Sequence, residues 1–138
     1  MNSFAHYSFG AVCEWMFSQL AGIQTDGPGY KRIIIRPTLP APDSNPDQKP
    51  INWVRAHYDS IRGPIASAWK LEDGRFSLEV TIPANTSAMI GVPASTAASL
   101  TEGGKELARA QGVKVLGAAG GQVVLAIESG SYRFANRP

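Results

Sequence analysis

The sequence predicts a mainly β chain: an antiparallel β-sandwich of about seven to eight strands preceded by one N-terminal α-helix. Three observations carry this. Phe76, Leu78, Val80 and Ile82 alternate strictly with Ser77, Glu79 and Thr81, the period of two that places apolar side chains on one face of a half-buried strand. Short β-rich runs recur along the chain with glycine turn signals between them, as in sandwiches and barrels. Only near the N-terminus does the period change, where Phe9, Val12, Cys13, Met16, Phe17 and Leu20 follow the i, i+3, i+4, i+7 spacing of one helical face.

The helix is expected over residues 9–21. Ser8 offers an N-cap oxygen, and Gly22 a C′ residue that accepts the left-handed conformation. Its opposite face carries Gly10, Ala11, Trp15 and Ala21, leaving only Glu14, Ser18 and Gln19 clearly polar. A helix apolar nearly all round expects burial on more than one side. The expected outcomes are packing on the sandwich, packing on a second copy, or poor order.

Strand signals follow in order. Ile33 and Ile35 alternate with Arg32, Ile34 and Arg36, and Pro37 ends the run because it lacks a ladder N–H. Residues 38–52 hold four prolines and read as a surface loop or a link between layers. Trp53 to Asp59 and Gly63 to Leu71 are the next strands, the latter with Ile65, Ser67, Trp69 and Leu71 on one face. Asp73-Gly74 is a hairpin signal, since a type I′ turn needs positive φ at both central residues. Further strands are expected at 87–92, 113–116, 123–127 and 131–134, with 94–99 a weak strand or loop and 105–110 a helical turn or irregular crossing.

Composition narrows the function classes. A chain of 138 residues with 43% hydrophobic content is the size of one ordinary domain. The net charge of +2 arises from 13 basic and 11 acidic residues scattered along the chain, so no basic stripe points to nucleic acid or an anionic membrane. Cys13 is the only cysteine, which excludes an internal disulfide and a thiolate zinc cluster and reads as a buried, inert thiol. No apolar run reaches the roughly 18–20 residues of a membrane span, and the N-terminus lacks a basic signal-peptide n-region. No phosphate loop, metal-ligand spacing or Ser-His-Asp order stands out, so neither cofactor nor metal is expected.

The segment Asn2-Ser3-Phe4-Ala5-His6-Tyr7-Ser8-Phe9-Gly10-Ala11-Val12-Cys13-Glu14-Trp15 resembles the Asn-Ser-Phe-Asn-His-Tyr-Ala-Phe-Gly-Ala-Val-Gly-Glu-Trp signature of bacterial α-L-rhamnosidases. These are glycoside hydrolases built on an (α/α)6 barrel followed by a β-sandwich. Gly29-Tyr30-Lys31-Arg32-Ile33-Ile34-Ile35-Arg36-Pro37, Tyr58-Asp59-Ser60 with Gly63, Ile82-Pro83-Ala84-Asn85-Thr86 and Ser129-Gly130-Ser131-Tyr132-Arg133-Phe134 fall in the family's order. The resemblance covers nearly the whole chain. It implies that residues 1–29 correspond to the last barrel helix and residues 30–138 to the C-terminal sandwich. With no apolar run of membrane-spanning length, the chain as given reads as soluble, its compartment open between bacterial cytoplasm and periplasm.

The resemblance also places His6 at the family's sugar-contacting histidine, a role suited to imidazole, which donates to or accepts from a hydroxyl. Ala5 stands where the family often has Asn, so a polar partner is lost. Glycoside hydrolysis usually requires two facing carboxyl groups. In the family both lie upstream of the His-Tyr motif, and the complete enzyme is implied to be inverting. Glu14, the only carboxylate near His6, reads instead as bonded to backbone or an arginine. No catalytic residue is therefore assigned, and His6 is the one substrate-binding candidate.

Core packing is the expected role of Trp15 and Trp69, with Trp53 open. Asp59-Ser60 reads as a turn despite Ile61-Arg62 replacing the family's Pro-Tyr, and Asn85-Thr86-Ser87 as an ordinary loop. The expected partners are an L-rhamnose-containing glycan through the parent enzyme, and either the missing barrel or a second copy through helix 9–21. Two rival readings are a stand-alone carbohydrate-binding module using His6 or Trp53, and the complementing piece of a split glycosidase.

Overall fold

The computed structural model describes residues 7–39 and 49–137. His6 and residues 40–48 lie outside the described residues. A helix α1 (Ser8–Trp15) runs into one π-helical turn (Met16–Leu20). Eleven strands follow: β1 (Ile23–Thr25), β2 (Arg32–Ile35), β3 (Trp53–Ser60), β4 (Gly63–Glu72), β5 (Arg75–Ile82), β6 (Ser87–Pro93), β7 (Leu100–Glu102), β8 (Lys105–Glu106), β9 (Val113–Ala119), β10 (Gln122–Ile127) and β11 (Gly130–Asn136). They form a five-stranded sheet in the order β1-β2-β6-β10-β9 and a six-stranded sheet in the order β3-β4-β5-β11-β7-β8. All pairings are antiparallel except β2 with β6.

The expected mainly β sandwich with one N-terminal helix is what forms. The strand count exceeds the expected seven to eight because β1, β7 and β8 are only two or three residues long, too short to display a period. β1 lies before residue 30 in sequence, on the helix side of the expected division, and pairs Ile23 with Ile35. β2 lies in the first sheet and β3 in the second; most of the proline-rich segment expected as a surface loop or a link between layers lies outside the described residues. Residues 105–110 split into the short β8 and a 3-10 turn over Leu107–Arg109.

The core lies between the inward faces of the two sheets. The first contributes Ile33, Ile35, Ile90, Val92, Val123, Leu125 and Ile127, the second Ile65, Trp69, Phe76, Leu78, Val80, Ile82, Leu100 and Phe134, all buried. Each set follows the two-residue alternation, so register fixes which side chains meet: Trp69 lies opposite Leu78, and Leu78 opposite Phe134. Burying such a side chain contributes about 1.5–3 kcal/mol. The Asp73-Gly74 hairpin has the expected positive φ, 50° and 75°.

The helix departs from expectation. Its N-cap position is Tyr7, not Ser8. It does not run as a regular α-helix to Ala21: the Ala21 N–H bonds back to the Met16 carbonyl at 3.0 Å, an i to i−5 closure. Residues 11–17 are exposed, Cys13 among them. The expected buried thiol and the expected packing of Trp15, which is 53% exposed, are both corrected. The apolar stripe forms a helix, and its C-terminal end is bonded to the sandwich.

Gly22 ends the helix at φ +75°, and a Cβ there would sit 2.3 Å from both the Arg36 carbonyl carbon and the Pro37 nitrogen. The expected C′ glycine is therefore required twice, by conformation and by the crossing strand. Gly22→Ala should lower stability in urea unfolding by well over the roughly 1 kcal/mol of an ordinary left-handed glycine. Gly120→Ala, at φ +58° with nothing within 4 Å of its Cβ, is the control and should cost about 1 kcal/mol.

Candidate functional site at the junction of helix and sandwich

The last four carbonyls of a helix have no partner within it. Here the sandwich supplies one to each of Ser18, Gln19, Leu20 and Ala21. The Gln24 side-chain amide donates to Ser18 at 2.8 Å and the Thr38 backbone N–H to Gln19 at 2.8 Å. The Trp69 indole N–H donates to Leu20 at 2.6 Å and the Ser67 hydroxyl to Ala21 at 2.7 Å. Trp69 and Ser67 alternate on the inner face of β4, both buried, so the helix end closes the mouth between the sheets. Trp69 thus packs in the core as expected, but its polar edge also serves a purpose that the alternation pattern did not reveal.

Beside this anchor opens a pocket of about 520 Å³ lined by Glu14, Phe17, Ser18, Gln24, Tyr30 and Tyr58, among others. Three aromatic rings form its wall: Tyr30 and Tyr58 have centroids 4.9 Å apart, and Phe17 meets Tyr58 edge-on at 6.2 Å. Tyr30 holds a left-handed φ of 53°, uncommon for a bulky residue and costing on the order of 1–3 kcal/mol. The loop is pinned by the Arg62 guanidinium, which donates to the Gly29 carbonyl at 3.0 Å. Arg62 belongs to the β3–β4 turn, which Ser60 closes by donating to the Gly63 carbonyl at 2.8 Å. Asp59 and Ser60 thus end β3 rather than form the turn themselves; the turn is Ile61-Arg62, which Ser60 closes and which holds the Gly29 carbonyl beside Tyr30 from the opposite sheet.

Burial raises the Tyr30 pKa above its ordinary value of 10.0; the hydrogen bond to the Tyr58 hydroxyl and Tyr58 charge add to the rise. Tyr132 is also raised, by burial and then by Glu128 and Glu102, with a bond from the Glu128 backbone opposing.

Among the described residues, Glu14 is the only carboxylate lining this pocket and it forms no ion pair; backbone or an arginine was the expected partner. One carboxylate cannot supply the acid and base pair of glycoside hydrolysis. Among the described residues, no group of three His, Cys, Asp or Glu side chains is placed to hold a metal ion. No described helix is long and apolar enough to cross a membrane. The Tyr30–Tyr58 pairing escaped the sequence reading because its members lie in separate motifs, and no local period links them. Trp53 is settled as exposed, at 63%.

Fold and site define a class: a two-sheet β-sandwich domain with one helix seated on its open end beside a pocket walled by aromatic rings. Residues 22–106 match the bacterial alpha-L-rhamnosidase C-terminal domain. The chain belongs to that family. It is 33% identical over 97% of its length to an alpha-L-rhamnosidase of Streptomyces avermitilis, and 30% identical over 97% to one of Formosa agariphila. It spans only 12% and 14% of those relatives' lengths. The crystal structure of the Streptomyces avermitilis enzyme complexed with L-rhamnose superposes over 99% of this chain and 12% of that one, with a TM-score of 0.79 and 31% identity. The alpha-L-rhamnosidase of Dictyoglumus thermophilum shares the fold over 96% of this chain and 14% of that one, with a TM-score of 0.75 and 24% identity.

Two outcomes test the junction. Ser67→Ala should destabilise the chain by about 1–3 kcal/mol in chemical unfolding, because the buried Ala21 carbonyl loses its donor. A raised tyrosine pKa gives stability that is fully present below the unfolded value and lost as pH rises through the folded one. Stability should therefore fall as pH climbs above 10.0, and less steeply in Tyr30→Phe, with Tyr132 supplying the remainder; tyrosinate absorbance alongside unfolding measures both.

Proposed function

We propose that this sandwich serves an α-L-rhamnosidase as its C-terminal accessory domain, packing against the helical catalytic barrel through the face that carries α1. The observation that supports this is the helix itself. Its carbonyl end is bonded into the sandwich, while Val12, Trp15, Met16 and Phe17 stand exposed as a contiguous apolar surface larger than isolated exposed residues require. Phe17 and Tyr58 continue that surface onto the pocket. A barrel helix laid along it would bury the second face that the apolar pattern demands.

On this reading the chain alone hydrolyses no rhamnoside, because the acid and base belong to the barrel. His6 retains, by resemblance, the role of sugar contact within the assembled enzyme. In the isolated chain, L-rhamnose binding measured calorimetrically is expected to be weak, given Ala5 in place of the family's Asn, and lost in His6→Ala.

The packing proposal is tested by sedimentation. The isolated chain is expected to self-associate in a concentration-dependent way, and Val12→Glu with Trp15→Glu should return it to a monomer without lowering its unfolding midpoint. Addition of a rhamnosidase barrel lacking its own C-terminal domain should give a heterodimer with the native chain and none with the double variant. A strict monomer that ignores the barrel would sink the proposal.

A further inference from the structure

The outer face of the second sheet carries a feature that the accessory role does not use. Cross-strand pairing sets Trp53 opposite Lys70 and Lys70 opposite Ser77, while in the next outward-facing row Arg55 lies opposite Ala68 and Ala68 opposite Glu79. These six residues line a groove of about 390 Å³. Its floor is low because Ala68 and Ser77 are small where flanking positions are long. Arg55 and Glu79 stand two strand spacings apart, roughly 10 Å, wide enough to admit a sugar ring between them.

The walls are chemically distinct. Trp53 projects from the start of edge strand β3 with 63% of its surface exposed, a large apolar ring left in water. The flanking charges are mostly neutralised locally: Lys70 pairs with Glu72 at 2.8 Å, and Glu79 pairs with Arg133. Arg55 differs. Among the described residues its side chain makes no ion pair or hydrogen bond, although both other long charged side chains of the groove make ion pairs. The groove thus offers one flat aromatic face, a hydroxyl at Ser77, and one guanidinium whose fork matches a carboxylate.

We propose that this groove is a binding subsite for an acidic saccharide, a uronate-containing oligosaccharide whose ring face lies on Trp53 and whose carboxylate pairs with Arg55. The carbon-bound hydrogens of a pyranose face cover the indole, its hydroxyls meet Ser77 and Lys70, and its single negative charge balances the single unpaired cation. A neutral sugar would leave Arg55 unused. The subsite is separate from the Tyr30–Tyr58 pocket; on its helix side Trp53 and Arg55 also line a cavity of about 420 Å³ with Met16 and Phe17.

The test is calorimetric titration of the full chain with disaccharides carrying glucuronate or galacturonate, each beside its neutral counterpart. The expected result is saturable binding of an acidic disaccharide, weakened by about tenfold or more in Trp53→Ala and in Arg55→Gln, and weakened by added salt. Both side chains are exposed, so each variant should keep its unfolding midpoint; Ala68→Gln, which raises the groove floor, should block binding with Trp53 and Arg55 intact. Absence of binding across the panel overturns the proposal. Equal affinity for the neutral counterparts overturns it too, as does binding that survives all three substitutions.

Discussion

The four carbonyls at the end of the helix are the constraint around which the junction is organised. Ser18, Gln19, Leu20 and Ala21 would each be an unsatisfied acceptor at the mouth of a hydrophobic core. They are met by an amide side chain, a backbone N–H, an indole and a hydroxyl from β1, the segment after β2, and β4. Two of those donors lie on the inner face of a strand, where an unpaired hydroxyl or indole N–H would itself be costly. Helix and sandwich therefore satisfy each other. The π-helical closure at Ala21 falls on the same turn, where the chain must leave the helix, pass Gly22 and enter β1 beneath Arg36.

That anchoring explains the position of the pocket. With the helix end fixed on β4 and the β1–β2 loop held by Arg62, Phe17, Tyr30 and Tyr58 converge from three separate segments. The left-handed backbone at Tyr30 is a local strain supported by contacts from the opposite sheet, an arrangement typical of positions with a functional purpose. Upstream of the anchor, Val12, Trp15 and Met16 stand exposed. The sandwich supplies a seat for one end of the helix.

Much of this was legible in the residues. Alternation at 76–82 and 63–71 gave the central strands and their inward faces, because a strand with one buried side must repeat every two residues. Asp73-Gly74 and Gly22 were readable because positive φ restricts residue choice sharply. The family resemblance in the motifs from Gly29 to Thr86 agrees with the match over residues 22–106, and the relatives aligned over 97% of the chain agree with it more widely. The reading erred on Trp15 and Cys13, since a helical period shows that one face is apolar but not what covers it.

The sequence by itself determined the mainly β class, the central strands and turns, the helix and its glycine stop, and the family. These are written in short-range patterns, where period and backbone conformation constrain neighbouring residues. Tertiary structure alone decided the rest: that Trp69 and Ser67 cap a helix some 46 to 49 residues earlier, that Tyr58 meets Tyr30, and that Trp53, Arg55 and Glu79 share a groove. Each depends on register and on the meeting of distant strands, and contacts between distant segments leave no period in the chain.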